Sequence, residues 1–362
     1  MVSAVNWGCC IMISQSQFSK DILTHIAAQY PRMDTGLLEK VLRAIQLLES
    51  LAVTEVPFIF KGGTAAMLLL PVPHRFSIDI DIMLDGQRDL EAHFDSICRS
   101  NGFTRHFRQD RTERGGLQKN HYKFLYDSVV SGNLEQPVLL DVVYQDNPYP
   151  VLQDTPITVP FLNPTAPTFT VKTPTVDGLV GDKMTAFAPE TTGIPYVRRN
   201  RDMSLEIAKQ LYDIGTLFDR VMSVQTIMNS FKNIASREIL NRGLKITYTE
   251  VALDLIDTAL TISTQGTLGQ GRVKELLSGI GKLKSFVFSE TYTTAKAITH
   301  AARAAYLAVL VMNGQTGPIS RFEDPLSIGD LMITDHAYSK LNKLKKTNPE
   351  AFYYWYQSID QL

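Results

Sequence analysis

A chain of 362 residues, 44% hydrophobic and 20% charged with a formal net charge of -1, has the composition of a soluble globular protein of one elaborated domain or two. That balance excludes a disordered or supercharged polypeptide, so any affinity for nucleic acid has to come from local clusters. Cys9, Cys10 and Cys98 are too few and wrongly spaced for a disulfide framework or a zinc site, no Lys or Arg precedes Lys20, and no apolar run reaches the roughly 18 residues of a membrane span; the expectation is a cytoplasmic protein with neither signal peptide nor membrane helix.

Residues 1–18 are expected to form a poorly ordered N-terminal extension. From Ser19, an N-cap candidate, SKDILTHIAAQY reads as a helix, and TGLLEKVLRAIQLLESLA places Leu38, Val41, Leu42, Ile45 and Leu48 on one helical face. Short β-type runs follow at 57–61, 77–84, 121–126, 137–144 and 168–171, with the helical QRDLEAHFDSICRSNG between the second and third. Beyond Thr175 the pattern is helical, at 177–188, 203–219, 224–237, 248–264, 290–312 and 348–357. The expected division is therefore an α/β domain over 19–174 and a helical C-terminal domain over 175–362. The Pro/Thr-rich stretch 156–175 and the segment APETTGIPYVRRNRD read as connectors or as ordered active-site loops.

Two features of the α/β region carry chemistry. In FSIDIDIML, strand alternation puts Ile78, Ile80 and Ile82 on one face and Ser77, Asp79 and Asp81 on the other. Two carboxylates one strand step apart repel each other, which suits either a solvated face or a divalent cation held between them. A third acid, Asp141 in PVLLDVVY, sits in an apolar run and needs a partner or a cation to offset its desolvation. The Gly62-Gly63-Thr64 turn between an apolar run and the helical AAMLLL permits close backbone approach and offers amide N–H groups to phosphate at a helix start.

Strand, Gly-Gly-Thr, helix, an Asp-x-Asp strand and a third Asp on a later strand form the arrangement of the nucleotidyltransferase fold shared with DNA polymerase beta. The expected class is α+β, a polymerase-beta-like mixed sheet with flanking helices followed by a mostly helical domain. FKGGTAAMLL with RFSIDIDI resembles the AbiEii/AbiGii family of nucleotidyltransferase toxins, the type IV toxins that include the MenT proteins. A second block, LVGDKMTAFAPETTGIP with AKQLYDIGTLFD, is similar to that family's Asp-Lys-x-x-Ala and Tyr-Asp-Ile/Leu helices. The resemblance implies a phosphate loop of Lys61, Gly62, Gly63 and Thr64, a metal strand of Ser77, Asp79 and Asp81 with Asp141 as third carboxylate, Lys183 at the nucleotide phosphates, and Asp213 as a further acid. It also implies Mg²⁺ or Mn²⁺, an NTP, a cognate antitoxin, a role in toxin–antitoxin or phage-defence systems, and the 3′ end of tRNA as acceptor. Two departures stand out: Gly-Gly-Thr replaces the Gly-Ser of many members, and the long spacing after Lys183 leaves Asp202 and Asp213 as rivals, with KQLYDIG favouring Asp213. Read without the family, Lys183 and Asp213 would be a solvated lysine and a surface acid.

RHFRQDRTERGGLQKNHYK, between Arg105 and Lys123, interleaves basic and aromatic residues, as either a nucleic-acid contact or a solvated hairpin around Gly115-Gly116. Arg198, Arg199 and Arg201 form a second basic cluster, for triphosphate, for RNA backbone or for a helix cap. FYYWYQ near the C-terminus reads as helix packing, with RNA stacking as the lesser reading. GTLGQGRVKE lacks the context of a dinucleotide or P-loop signature. Besides transfer to RNA, the sequence leaves open a protein acceptor, or a non-catalytic nucleotide- or RNA-binding protein of the same fold.

Overall fold

The computed structural model describes residues 13, 15–30, 32–54, 56–109, 118–159, 161 and 169–362. The chain divides into two units, the first made of residues up to Asn147 with Leu152–Pro174 and Phe286–Glu290, the second of Pro148–Val151, Thr175–Ser285 and Thr291–Leu362. The expected 1–18 extension lies mostly outside the described residues. Its described part is docked, because Ile13 and Phe18 are buried in the first unit's core and Gln15–Gln17 form a 3₁₀ turn.

In the first unit, Ser19 and Asp34 cap α1 (Lys20–Ala28) and α2 (Thr35–Val53) by accepting from backbone N–H groups of Ile22 and Leu37. The stripe Leu38, Val41, Leu42, Ile45 and Leu48 is buried as its periodicity requires, but so are Glu39, Arg43, Gln46 and Glu49 on the same helix. Each of these polar groups is partnered. Glu39 accepts from Ser128 Oγ at 2.6 Å and Val129 N at 2.9 Å, Arg43 donates to Gln46 Oε1 at 3.0 Å and stacks on Phe18, and Glu49 accepts from Ile13 N. One side of α2 packs on the sheet and the chain near Ile13 covers another, which amphipathic periodicity alone does not foresee.

The sheet holds β1 (Ile59–Lys61), β2 (Asp79–Leu84), β3 (Arg105–Gln109), β4 (Gln118–Asp127), β5 (Glu135–Tyr144), β6 (Leu152–Pro156) and β7 (Thr170–Pro174), with α3 (Gly62–Leu69) after β1 and α4 (Glu91–Ser100) after β2. Its order is β3-β4-β5-β2-β1-β7-β6; β2–β5 and β1–β7 are parallel and the other pairs antiparallel. Phe60, Ile80, Ile82, Tyr122, Phe124, Leu140 and Val142 are buried, and each such aliphatic or phenyl side chain contributes about 1.5–3 kcal/mol. Strand pleating sends their neighbours, Lys61, Asp79, Asp81, His121, Lys123 and Asp141, to the opposite face. In the basic segment 105–123, expected as a nucleic-acid contact or a solvated hairpin, β3 pairs antiparallel with β4; residues 110–117 between them, including Gly115-Gly116, lie outside the described ones. Much farther along the chain, Phe286–Glu290 returns to this unit: Phe76 N donates to Phe286 O, Arg75 and Val287 form a β-bridge, and the Phe76 and Phe288 rings lie 4.5 Å apart.

The second unit is built from α5 (Val176–Ala186), the two-stranded β8 (Val197–Arg198) and β9 (Arg201–Asp202), α6 (Ser204–Leu217), α7 (Val224–Arg242), α8 (Tyr248–Ser263), α9 (Val273–Leu283), α10 (Thr294–Met312), the short α11 (Leu344–Thr347) and α12 (Pro349–Ile359). Helix α10 is buried along most of its length. Phe352, Tyr354 and Trp355 of FYYWYQ are buried, with Trp355 Nε1 donating to Ser263 Oγ at 2.9 Å, so these rings are core. Helix α9 is absent from the sequence expectation because Gly279 and Gly281 lower its helix propensity. Gly279 lies so close to α6 that a Cβ there would sit 2.0 Å from the Ser204 carbonyl oxygen. Among the described residues no helix is long and apolar enough to cross a membrane.

Candidate active site

Strand pairing lines up the acidic residues of the first unit. Lys61 on β1 is opposite Asp81 on β2, Asp81 is opposite Asp141 on β5, and Asp141 is opposite His121 on β4. Asp79 lies one strand step from Asp81 on the same face, and both are half-buried. Four strands distant in sequence thus present one basic group, three carboxylates and an imidazole on one side of the sheet.

His121 answers the desolvation problem of Asp141: its Nδ1 is hydrogen-bonded to Asp141 Oδ1 at 2.7 Å, with the imidazole 9% and the carboxylate 36% exposed. The β run 121–126 and the basic segment around it carry no local sign of this pair, because the residue His121 meets is 20 positions away on another strand. That basic segment is also less free than its composition suggests: Arg105 pairs with Glu135 at 2.7 Å, and His106 Nε2 is hydrogen-bonded to Asp95 at 2.9 Å.

The glycine turn fits against these acids. Gly62 has φ +81, and a Cβ on it would fall 2.0 Å from Asp81 Oδ2. A Cβ on Gly63 would fall 2.6 Å from Ser77 Oγ and 2.8 Å from Arg75 Nη2. Only glycines let the start of α3 approach the carboxylate strand this closely. No described side chain caps α3, which leaves its first amide N–H groups without a side-chain acceptor, the arrangement that suits an anion at a helix start. Thr64 is fully buried and donates from Oγ1 to the Asp79 carbonyl at 2.6 Å, which ties the turn to the strand. Ser77 is half-buried beside Gly63, and the buried Arg75, which sequence reading passed over, donates to the Phe76 carbonyl.

In the second unit, Lys183 on α5 and Asp213 on α6 form an ion pair at 2.9 Å with side chains 6% and 4% exposed. This differs from a solvated lysine and a surface acid: the pair is inside the helical core. Burial, and then the neighbouring Tyr212 and Asp213, hold the Tyr292 hydroxyl well above the ordinary tyrosine range. Asp202, the rival acid, is exposed and pairs with Lys282, which together with Ser204 lowers its pKa to about 2.

Among the described residues no group of three or more His, Cys, Asp or Glu is arranged as a ready-made metal cage. Asp79 and Asp81 still fit a hard divalent cation, since Mg²⁺ is commonly bound by one or two carboxylates and completed by water and substrate phosphates.

JHP933 from Helicobacter pylori is 17% identical, aligning over 78% of this chain and 94% of its own with a TM-score of 0.44. A second H. pylori chain, provisionally described as a nucleotidyltransferase, has the same identity and score over 78% of this chain and 97% of its own. No curated protein matches the sequence. Residues 46–276 match the family described as nucleotidyl transferase AbiEii toxin, type IV TA system, and that span holds the glycine turn, the three carboxylates, Lys183 and Asp213. With more than half of its length in that match, the chain belongs to the AbiEii nucleotidyltransferase toxins of type IV toxin–antitoxin systems.

Proposed function

We propose that this nucleotidyltransferase moves a nucleoside monophosphate from an NTP to the 3′ end of an RNA acceptor, tRNA being the expected one, and acts in the cytoplasm as the toxin restrained by a cognate antitoxin. The observation that carries the reading is the register of Asp81, Asp141 and His121 across three strands, with Asp79 beside Asp81 and Gly62 against its carboxylate.

Asp79 and Asp81 would hold Mg²⁺ or Mn²⁺ together with phosphate oxygens of the NTP. When bound, the ion neutralises charge on the triphosphate and on the oxygens that attack and leave. The start of α3 orients the triphosphate through its amide N–H groups, with Lys61 adding a positive charge at the strand end. The acceptor hydroxyl oxygen attacks the α-phosphorus, the bond to the β-phosphate bridging oxygen breaks, and pyrophosphate leaves. Asp141 accepts the hydroxyl proton, with His121 holding that carboxylate in one orientation. Lys183 is the proposed basic group for the phosphates; its pairing with the buried Asp213 supports a lysine of fixed direction.

The test is to incubate the full chain with Mg²⁺ and each α-labelled NTP, with total tRNA, protein extract or no acceptor, beside Asp79→Asn. Label on tRNA, reduced by orders of magnitude in the variant, is the expected result. Label on protein instead would replace the RNA acceptor by a side chain. Growth inhibition that survives Asp79→Asn would favour a non-catalytic nucleotide- or RNA-binding role.

A further inference from the structure

Between α5 and α6, which carry Lys183 and Asp213, the chain forms a hairpin that the reaction above does not use. Strands β8 and β9 pair Val197 with Asp202 and Arg198 with Arg201, and the turn residues Arg199 and Asn200 have φ of 51° and 61°. Turns with both central residues left-handed are ordinarily built from Asn-Gly or Gly-Gly, so an arginine here is held against its backbone preference. The cross-strand Arg198–Arg201 pair sets like charges directly opposite each other, an unfavourable arrangement in an isolated hairpin. Nothing in core packing requires it, because all six residues 197–202 are exposed.

The base of the hairpin is fixed while its strands and turn are exposed. Tyr196 is 2% exposed, and its hydroxyl accepts from Arg272 N at 3.2 Å. Met203 N donates to the Tyr196 carbonyl at 3.0 Å. Asp202, the hairpin's acid, accepts from Ser204 N and Ser204 Oγ and pairs with Lys282, so its charge is already engaged at the base. Arg198 and Arg201 therefore stand on a stem fixed at its base and leading into α6, and Asp213 lies about 14 Å farther along that helix.

We propose that this hairpin clamps the phosphate backbone of the RNA acceptor; the inference rests on the RNA-acceptor reading above. The repulsion between the cross-strand Arg198 and Arg201 is offset when an anion binds between or across them. A polyanion supplies that relief, since guanidinium forks match phosphate oxygens in a bidentate way. The exposure of all six residues 197–202 suits an extended backbone gripped from one side better than an enclosed small anion. A protein partner fits less well: Val197 is the hairpin's one exposed large apolar residue, whereas protein interfaces centre on apolar and aromatic groups.

The experiment is equilibrium binding of total tRNA to the full-length protein, without NTP, across a salt series. The variants are the double Arg198→Ala/Arg201→Ala, the double Arg198→Lys/Arg201→Lys, and Lys20→Ala on the exposed start of α1. The alanine pair should weaken binding roughly tenfold near 0.1 M salt and lower the salt slope by about 1–2. The lysine pair should lose less, while Lys20→Ala should match wild type. Unchanged affinity and slope in an alanine variant with wild-type melting would overturn the clamp while leaving the acceptor reading intact. Wild-type protein that labels protein and binds no tRNA would overturn both. Unchanged tRNA binding with loss of antitoxin binding would also overturn it, by making the hairpin a protein contact.

Discussion

Gly62 joins a sequence motif to a three-dimensional requirement. Its positive φ costs a non-glycine residue about 1–2 kcal/mol, and its closeness to Asp81 leaves no room for a methyl group. Gly86 separates these two effects, because it shares a φ of +79 but has nothing within 4 Å of an added Cβ. Gly62→Ala is expected to lower nucleotide transfer by at least about tenfold by displacing a carboxylate, whereas Gly86→Ala should lose a similar 1–2 kcal/mol of stability with transfer near wild type. Thermal melting and labelled transfer on both variants check this; equal activity would show that Asp81 yields to the methyl group. The Gly-Gly turn, Asp79 and Asp81 were legible because strand alternation and turn chemistry are local. Thr64 was legible only as a hydroxyl, and its donation to the Asp79 carbonyl required the fold.

Elements that alternate or repeat over many residues were the easiest to read: α2, β2 and β5 follow their apolar periods closely. Strands β3 and β6 were missed, since RHFRQ and LQDTP sit at the two edges of the sheet and carry little apolar patterning. The loop after α5 is another case in which a distant element decides. Asp254 on α8 accepts from Glu190 N at 2.9 Å, Thr191 N at 2.8 Å and Thr191 Oγ1 at 2.7 Å, pinning the segment that leads to the arginine hairpin. Burial pushes the Asp254 carboxyl up to about 6, and these hydrogen bonds oppose that shift only in part. The folded protein therefore binds more protons here than the unfolded chain between about pH 4 and 6. This group's contribution consequently falls as pH rises through that window, by an amount on the order of 2–3 kcal/mol. Asp254→Asn keeps an acceptor oxygen and removes the titration. Melting curves from pH 4 to 7 should show the variant gaining on wild type as pH rises; parallel curves would place the Asp254 pKa near its ordinary value.

For the whole molecule, two units and an acidic sheet face with no preformed metal cage among the described residues have a simple consequence. Each unit has its own apolar core, and a cation held by two carboxylates and substrate phosphates contributes little to the fold. Chelation by EDTA should abolish transfer and leave the melting temperature within about 1 °C, unlike a structural zinc domain, which unfolds without its ion. A large drop on chelation would reveal an ion built into the fold.

The sequence by itself determined the α/β-then-helical order, the paired carboxylates on one strand face, the Gly-Gly turn before α3 and the family resemblance, because each is written in residues close together along the chain. Only the tertiary structure decided that His121 meets Asp141, that Lys183 and Asp213 share a buried ion pair, and that Phe286–Glu290 returns to the first unit beside Phe76. Those contacts depend on strand order and helix packing, in which the energy of burial and charge pairing selects among partners that a linear pattern leaves equivalent.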